Sequence, residues 1–177
     1  FIGENKKDQI LNNGNINNYK IILFAWPFIQ FFLLFGSIIV ICFFDHLSVI
    51  EAIVLMLVQG MITGAVGITF AHELMHQKTK FERFLSDLLM GMAFYGHFRT
   101  EHVHVHHRFV GTKKDAVTAR YNESFYTFFV RVVPECFKSA WKVETLRLKG
   151  KNNSIFNSSN PFYIYLLKGP LSLTLLI

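Results

Sequence analysis

The sequence predicts an all-α protein, an integral-membrane bundle of helices, and three observations support that fold class. Of the 177 residues, 51% are hydrophobic and 16% are aromatic, with 20 Phe. Only 17% are charged, whereas a soluble domain has about 25%. Two stretches, residues 21–44 and 52–71, contain no Asp, Glu, Lys, Arg or His. Because an apolar helix of about 20 residues spans a bilayer core, each stretch is predicted to be a transmembrane helix.

Charges outside the two predicted spans indicate their orientation. The connecting turn, residues 45–51, has no Lys or Arg. Basic residues flank the outer ends instead: Lys6, Lys7 and Lys20 before the first span, and Lys78, Lys80 and Arg83 after the second. Because Lys and Arg concentrate in cytoplasmic loops, we expect both outer ends to face the cytoplasm at a bacterial inner membrane. Three glycines of the second span predict close helix packing: Gly60, Gly64 and Gly67.

The rest of the chain is predicted to be a cytoplasmic or interfacial region, residues 72–160, and the start of a further membrane helix, residues 161–177. With the two spans, these form a single predicted membrane domain. Apolar and charged residues occupy separate helical faces in residues 125–142, which is typical of helices lying on a membrane surface, and Pro134 predicts a break or kink. The chain begins with Phe and stops within an apolar run, so we expect a fragment of a longer protein.

The first of two histidine groups is His72-Glu73-Leu74-Met75-His76. Histidines four residues apart lie about one turn apart on one helical face, so both imidazoles can bind one metal ion. The group directly follows the second predicted span. The expected metal would therefore lie at the cytoplasmic boundary of the membrane.

The second group is Glu101-His102-Val103-His104-Val105-His106-His107. On an α-helix, His102 and His106 share a face and His107 is rotated from His106 by about 100°, so the set can contact two metal ions. On a strand, His102, His104 and His106 would share a face instead. We favour the helix, because a lone strand leaves its backbone unsatisfied at membrane depth. His104 then points away from the other histidines.

The predicted metal ligands are therefore five histidines: His72, His76, His102, His106 and His107. Glu73 and Glu101 stand beside them and are predicted to orient imidazoles. His97 is expected to pack or to support a ligand. Mainly imidazole ligands leave zinc, iron and copper open as the metal. Two cysteines are too few for a disulfide framework or a four-thiolate site.

Three classes of function fit these groups. The first group alone suggests a membrane zinc metalloprotease, with two histidines on zinc and Glu73 as general base. A membrane di-iron oxygenase uses both groups at once. A metal transporter is the third class, although transport sites normally lie near the bilayer midplane and these histidines lie outside the predicted spans.

The motifs resemble those of bacterial alkane 1-monooxygenases, which are integral-membrane di-iron hydroxylases of the fatty acid desaturase-like superfamily, with xylene monooxygenase as a near relative. Residues 72–76 resemble the first histidine motif of that family. Gly96-His97-Phe98 with Glu101-His102-x-x-x-His106-His107 resembles the second. The similarity covers roughly residues 50–165 and departs from the family at four positions: Gln77, Lys113, Lys114 and Ala116. It continues downstream at Asp115, Arg120, Glu123, Ser124, Tyr126, Pro134, Ala140, Trp141, Glu144, Arg147 and Leu148.

The resemblance implies a non-haem enzyme with two Fe ions that hydroxylates the terminal carbon of alkanes or similar hydrocarbon chains. It implies O₂ as co-substrate, and rubredoxin with its reductase as electron donor. It also implies further histidine motifs beyond residue 177, so the fragment is expected to be inactive alone. A fatty acyl desaturase or hydroxylase is the neighbouring alternative, because membrane desaturases share histidine-motif chemistry.

Basic residues concentrate in residues 99–151, which contain eleven Lys and Arg and five Asp and Glu. That difference equals the whole net charge of +6. Because the stretch lies among apolar segments, we expect it to meet an anionic membrane surface rather than nucleic acid. Docking of an acidic electron donor is the alternative, and it would make activity fall with salt.

Overall fold

The computed structural model of the protein describes residues 13–163 and 165, in which helices are joined by loops and no strand is found. This confirms the predicted all-α fold. The predicted further membrane helix, residues 161–177, lies almost entirely outside the described residues. In chain order the elements are α1 (Asn13–Phe43), α2 (Val49–Met61), a first π-helical segment (Ile62–Gly67), α3 (Ile68–Met75), α4 (Lys80–Met92), α5 (Phe98–Glu101), a second π-helical segment (His102–His106), α6 (His107–Phe109) and α7 (Phe125–Lys149).

Two helices are long and apolar enough to cross a membrane. Tyr19–Phe43 has 25 residues with a mean hydropathy of 2.2, and Val49–Met75 has 27 residues with a mean hydropathy of 2.0. Large apolar side chains on both are exposed, among them Phe32 and Leu57. A helix of a soluble protein would bury such a face, so these helices match the predicted membrane bundle. The second span begins at a capping box, in which Ser48 and Glu51 satisfy each other's backbone N–H groups.

The chain divides into two compact units, residues 1–89 and 90–177. In the first unit, α1 packs against α2, the first π-helical segment and α3. The ring of Trp26 on α1 stacks on Phe70 of α3 at a centroid distance of 5.1 Å. The buried Ser86 hydroxyl of α4 donates a 2.7 Å hydrogen bond to the Ala71 carbonyl. These contacts hold α3, the helix that carries the first histidine group.

In the second unit, α5 and the second π-helical segment pack against α7. Cys136 and Val132 of α7 are buried with Ala116 in a small apolar core. Phe125 and Phe129, on the same predicted apolar face, are exposed. Only part of that face is therefore buried. The helix also continues through Pro134 as one element from Phe125 to Lys149. The helix is therefore not broken at the proline, and the kink that was the other prediction for Pro134 stays a prediction.

Candidate metal centre

The first histidine group lies at the end of α3, where His72 and His76 face each other. Their Nε2 atoms are 3.3 Å apart and their ring centroids 4.7 Å apart. Two nitrogens bound to one ion at about 2.0–2.1 Å are separated by about 2.9 Å at a right angle and by about 3.3 Å at the tetrahedral angle. The pair therefore already has the spacing that a shared metal ion requires.

Glu73, between these histidines in sequence, is half-buried. Its Oε1 accepts a 3.0 Å hydrogen bond from Gln77 Nε2 on the next turn. The carboxylate of Glu73 is thus held by a neutral amide on its own helical face. Its predicted role in orienting an imidazole stays a prediction.

The second histidine group adopts a π-helix rather than the α-helix that its sequence suggests. Residues five apart come into line in a π-helix. As a result, His102 Nε2 lies 3.0 Å from His107 Nε2, with the rings 4.6 Å apart. α-Helical spacing would have paired His102 with His106. Single turns of π-helix recur at functional sites, and here the turn produces a second histidine pair with ligand spacing.

His106 lies beside that pair and is oriented by Asp115. Its ring stacks on that of His102 at 5.1 Å. Its Nδ1 is 3.0 Å from Asp115 Oδ2, and the Asp115 side chain is fully buried. A carboxylate acceptor at Nδ1 holds the proton there, which leaves Nε2 as the nitrogen with a free lone pair. His106 can therefore bind a metal ion through Nε2.

Asp115 remains a carboxylate in its buried position. Burial by itself raises the pKa of Asp115, but hydrogen bonds from the Thr118 hydroxyl, the Val117 N–H and His106 bring it below its ordinary value. The histidine motifs by themselves indicate no role for Asp115. The only signal available in the sequence was its place among the residues similar to the family downstream of the histidines.

Arg131 of α7 fixes the loop that carries Asp115. Its guanidinium donates to the carbonyl of Ala116 at 2.9 Å and to that of Thr118 at 3.4 Å. The same group pairs with Glu123 at 2.6 Å and Glu135 at 2.8 Å. The hydrogen bonds from Arg131 lower the pKa of Glu123 to about 2. The orientation of His106 is thus connected, through Asp115 and its loop, to a charged network on α7.

Glu101 supplies an independent sign that a cation belongs in the second group. Its side chain is fully buried, and neither carboxylate oxygen has a hydrogen-bond partner among the described residues. Burial, with the nearby Asp115 charge, raises its pKa to about 7. An unpartnered buried carboxylate is costly, and a bound metal ion would offset that cost. Asp115 is the carboxylate that contacts an imidazole here, at His106, and the orienting role predicted for Glu101 stays a prediction.

The two remaining histidines of this unit lie in other environments. His97 packs between Tyr95 and Phe137, and burial lowers its pKa to about 4, so it is neutral. His104 is exposed and lines a groove of about 880 Å³ between the second π-helical segment and α7. The donors that fit a metal in this unit are the imidazoles of His102, His106 and His107 with the carboxylate of Glu101, a set compatible with zinc, iron or copper.

Paired imidazoles at helix ends, in a chain with two membrane-length apolar helices, define the class: an integral-membrane protein with a histidine-rich metal centre. The sequence profile of the fatty acid desaturase family matches residues 47–171, and the chain belongs to that family. This confirms the resemblance inferred from the histidine motifs.

Relatives within the family include alkane and xylene monooxygenases. Alkane 1-monooxygenase 1 of Alcanivorax borkumensis is 39% identical over 114 residues, which are 64% of this chain and 28% of the relative. Alkane 1-monooxygenase 2 of Pseudomonas aeruginosa is 40% identical over 92 residues, 52% of this chain and 24% of the relative. The xylene/toluene monooxygenase hydroxylase component XylM of Pseudomonas putida is 31% identical over 106 residues, 59% of this chain and 28% of the relative. The match spans less than a third of each relative.

Proposed function

We propose that the protein forms part of a membrane non-haem di-iron monooxygenase that hydroxylates the terminal carbon of alkanes or similar hydrocarbon chains. The observation that carries the proposal is the presence of two histidine pairs with ligand spacing, at 3.3 and 3.0 Å between Nε2 atoms. The relatives named alkane 1-monooxygenase support the reaction class. The further ligands that a di-iron centre needs are expected outside these 177 residues.

The proposed ligands divide into two groups along the chain. His72 and His76 donate Nε2 from the end of α3. His102 and His107 donate from the second π-helical segment and its C-terminal boundary, and His106 donates Nε2 while Asp115 holds its Nδ1 proton. Glu101 adds negative charge that favours a cation. Bound iron supplies the redox chemistry that activates O₂ for attack on a C–H bond.

The net reaction places one oxygen atom of O₂ into a terminal C–H bond and reduces the other to water with two electrons and two protons. The chain's own contribution on the substrate side is its apolar spans, which allow a hydrocarbon to arrive from the bilayer without crossing water. Aqueous exposure would cost about 0.8 kcal/mol for each methylene. We propose that the histidines face the cytoplasm of a bacterial inner membrane, because Lys and Arg flank the outer ends of both spans.

Metal content tests the proposal most directly. Inductively coupled plasma mass spectrometry of the detergent-purified full-length protein is expected to find about two irons per chain and little zinc. Terminal alcohol from an alkane, measured with O₂ and a rubredoxin system, is then the expected product. One zinc per chain with little iron would contradict the proposal and favour a metalloprotease, for which Glu73→Gln would be the decisive variant.

Acyl desaturation is the second candidate reaction, and the match to the fatty acid desaturase family favours it. The two reactions share their oxidant and differ in the product. A hydroxylase forms an alcohol from a saturated chain, whereas a desaturase removes two hydrogens and forms a double bond. Gas chromatography of products from a fatty acyl chain and from an alkane separates them.

The electron donor is proposed to be rubredoxin, supplied by its reductase, and the groove beside His104 is proposed as its docking surface. The groove is lined by four cations and by no Asp or Glu: Arg108, Lys114, Lys142 and Arg147.

Lys142→Glu is expected to raise the KM for the reduced donor by about tenfold at low salt, because charges at a docking surface control encounter rates. Lys138→Glu is the matched control, since Lys138 is exposed on the same helix and does not line the groove. Equal effects of both variants would contradict docking at this groove.

A further inference from the structure

Gln30 lies on the first membrane-length helix, and its polar side chain is buried. It is completely inaccessible to solvent. Its Oε1 accepts a 2.9 Å hydrogen bond from Trp26 Nε1, one turn earlier. Its Nε2 is buried without a partner among the described residues. A polar group in such a place is costly, and polar residues inside membrane segments usually have a function.

The amide of Gln30 lies directly against the backbone of Gly67. A Cβ atom at Gly67 would lie 2.2 Å from Gln30 Oε1 and 2.8 Å from Gln30 Cδ. Real Cβ atoms essentially never come that close to another atom, so an alanine at this position would force the Gln30 side chain to move. Among the described residues, a Cβ atom added at Gly60 or Gly64 would meet nothing outside its own helix backbone within 4 Å, so the close packing seen there for these three glycines is at Gly67.

Gly67 is the last residue of the first π-helical segment, and α3 begins at the next residue. A π-helical turn holds more residues than an α-helical turn, and therefore changes the direction in which later side chains project. Phe70, one turn further on, stacks on Trp26, the residue that also holds Gln30. α1 thus contacts the start of α3 at two points, and His72 and His76 follow on the same helix.

We propose that the contact between Gln30 and Gly67, with the stack of Trp26 on Phe70, sets the rotation of α3 about its axis. It thereby fixes the direction in which His72 and His76 present their Nε2 atoms. Gln30 and Gly67 are positioning residues, since they act through the histidines and do not touch the metal. The inference rests on the proposed function in one respect, that this histidine pair binds metal.

Glycine-to-alanine variants in the full-length protein test the inference, with Co²⁺ as the probe. Gly67→Ala is expected to weaken Co²⁺ binding at the His72–His76 pair by about 10- to 100-fold, the range for residues that orient ligands. His72→Ala identifies the part of the Co²⁺ absorption that belongs to this pair. Gly64→Ala makes the same substitution in the same π-helical segment without a contact and should leave the affinity unchanged.

The double variant Gly67→Ala, Gln30→Ala removes the side chain that the new methyl group meets. It should recover most of the lost Co²⁺ affinity, which a general loss of folding would not allow. Fluorescence of Trp26, with the other tryptophans of the full-length protein replaced by Phe, reports whether the packing itself has changed. A changed Trp26 spectrum with unchanged Co²⁺ affinity would overturn the inference, and so would failure of the double variant to recover affinity. Absence of iron from the purified wild type would instead contradict the proposed function while leaving the Co²⁺ comparison valid.

Discussion

His102→Ala is expected to lower bound iron from about two ions per chain to one or fewer. His102 is one of two imidazoles whose Nε2 atoms lie 3.0 Å apart, so its removal takes away the nitrogen that His107 faces at chelating distance. The ring of His106 also loses the surface on which it stacks. The measurement is iron content of the detergent-purified full-length protein, with His72→Ala as the equivalent test of the first pair.

His104→Ala is the matched control for this prediction. His104 lies two residues from His102 in the same π-helical segment, and its exposed side chain lines the separate groove. His104→Ala changes the helix propensity and the number of histidines as His102→Ala does, but it leaves the paired imidazole nitrogens in place. Iron loss of the same size in both variants, or full iron content in His102→Ala, would contradict the assignment of His102 as a ligand.

Asp115→Asn is expected to weaken metal binding at the second histidine group by about 10- to 100-fold, because residues that hydrogen-bond a ligand histidine have effects of that size. The substitution keeps the shape of the side chain but removes the charge that fixes the Nδ1 proton of His106. Titration of the metal-free protein with Co²⁺ measures the affinity. Co²⁺ binding at His72 and His76 should be unaffected.

Thr118→Val is a milder variant that perturbs the same hydrogen-bonded group as Asp115→Asn. It removes the hydroxyl that donates to Asp115 Oδ2 while keeping the carboxylate next to His106. Its effect on Co²⁺ affinity should be in the same direction and smaller. Asp45→Asn is the control for loss of an acidic charge, since Asp45 is exposed in the turn between α1 and α2. A larger effect of Thr118→Val, or an equal effect of Asp45→Asn, would contradict a direct role for Asp115.

Periodicity and residue type were sufficient to predict the helical membrane fold and both histidine groups. The two apolar stretches needed no tertiary information, because a run of about 20 residues without charge has few stable alternatives to a membrane helix. The spacing of His72 and His76 likewise predicted their pairing, since α3 is an ordinary α-helix up to His76. For these elements, local structure determines the arrangement.

The second histidine group shows where such reasoning fails. Its sequence predicted an α-helix with His102 and His106 on one face, whereas the π-helical turn pairs His102 with His107. A π-helical turn is rare in proteins, so residue spacing alone favours the α-helix. No residue pattern in this stretch indicates the π-helical turn.

The sequence by itself determined the fold class, the two membrane-length helices and the histidines that lie on one helical turn. Tertiary structure decided which groups support them. Asp115 lies in a loop nine residues beyond His106, held in place by Arg131 from α7. Gln30 meets Gly67 where the first membrane-length helix packs against the second. Such contacts depend on how helices pack, and short-range patterns of residue type carry no information about packing partners.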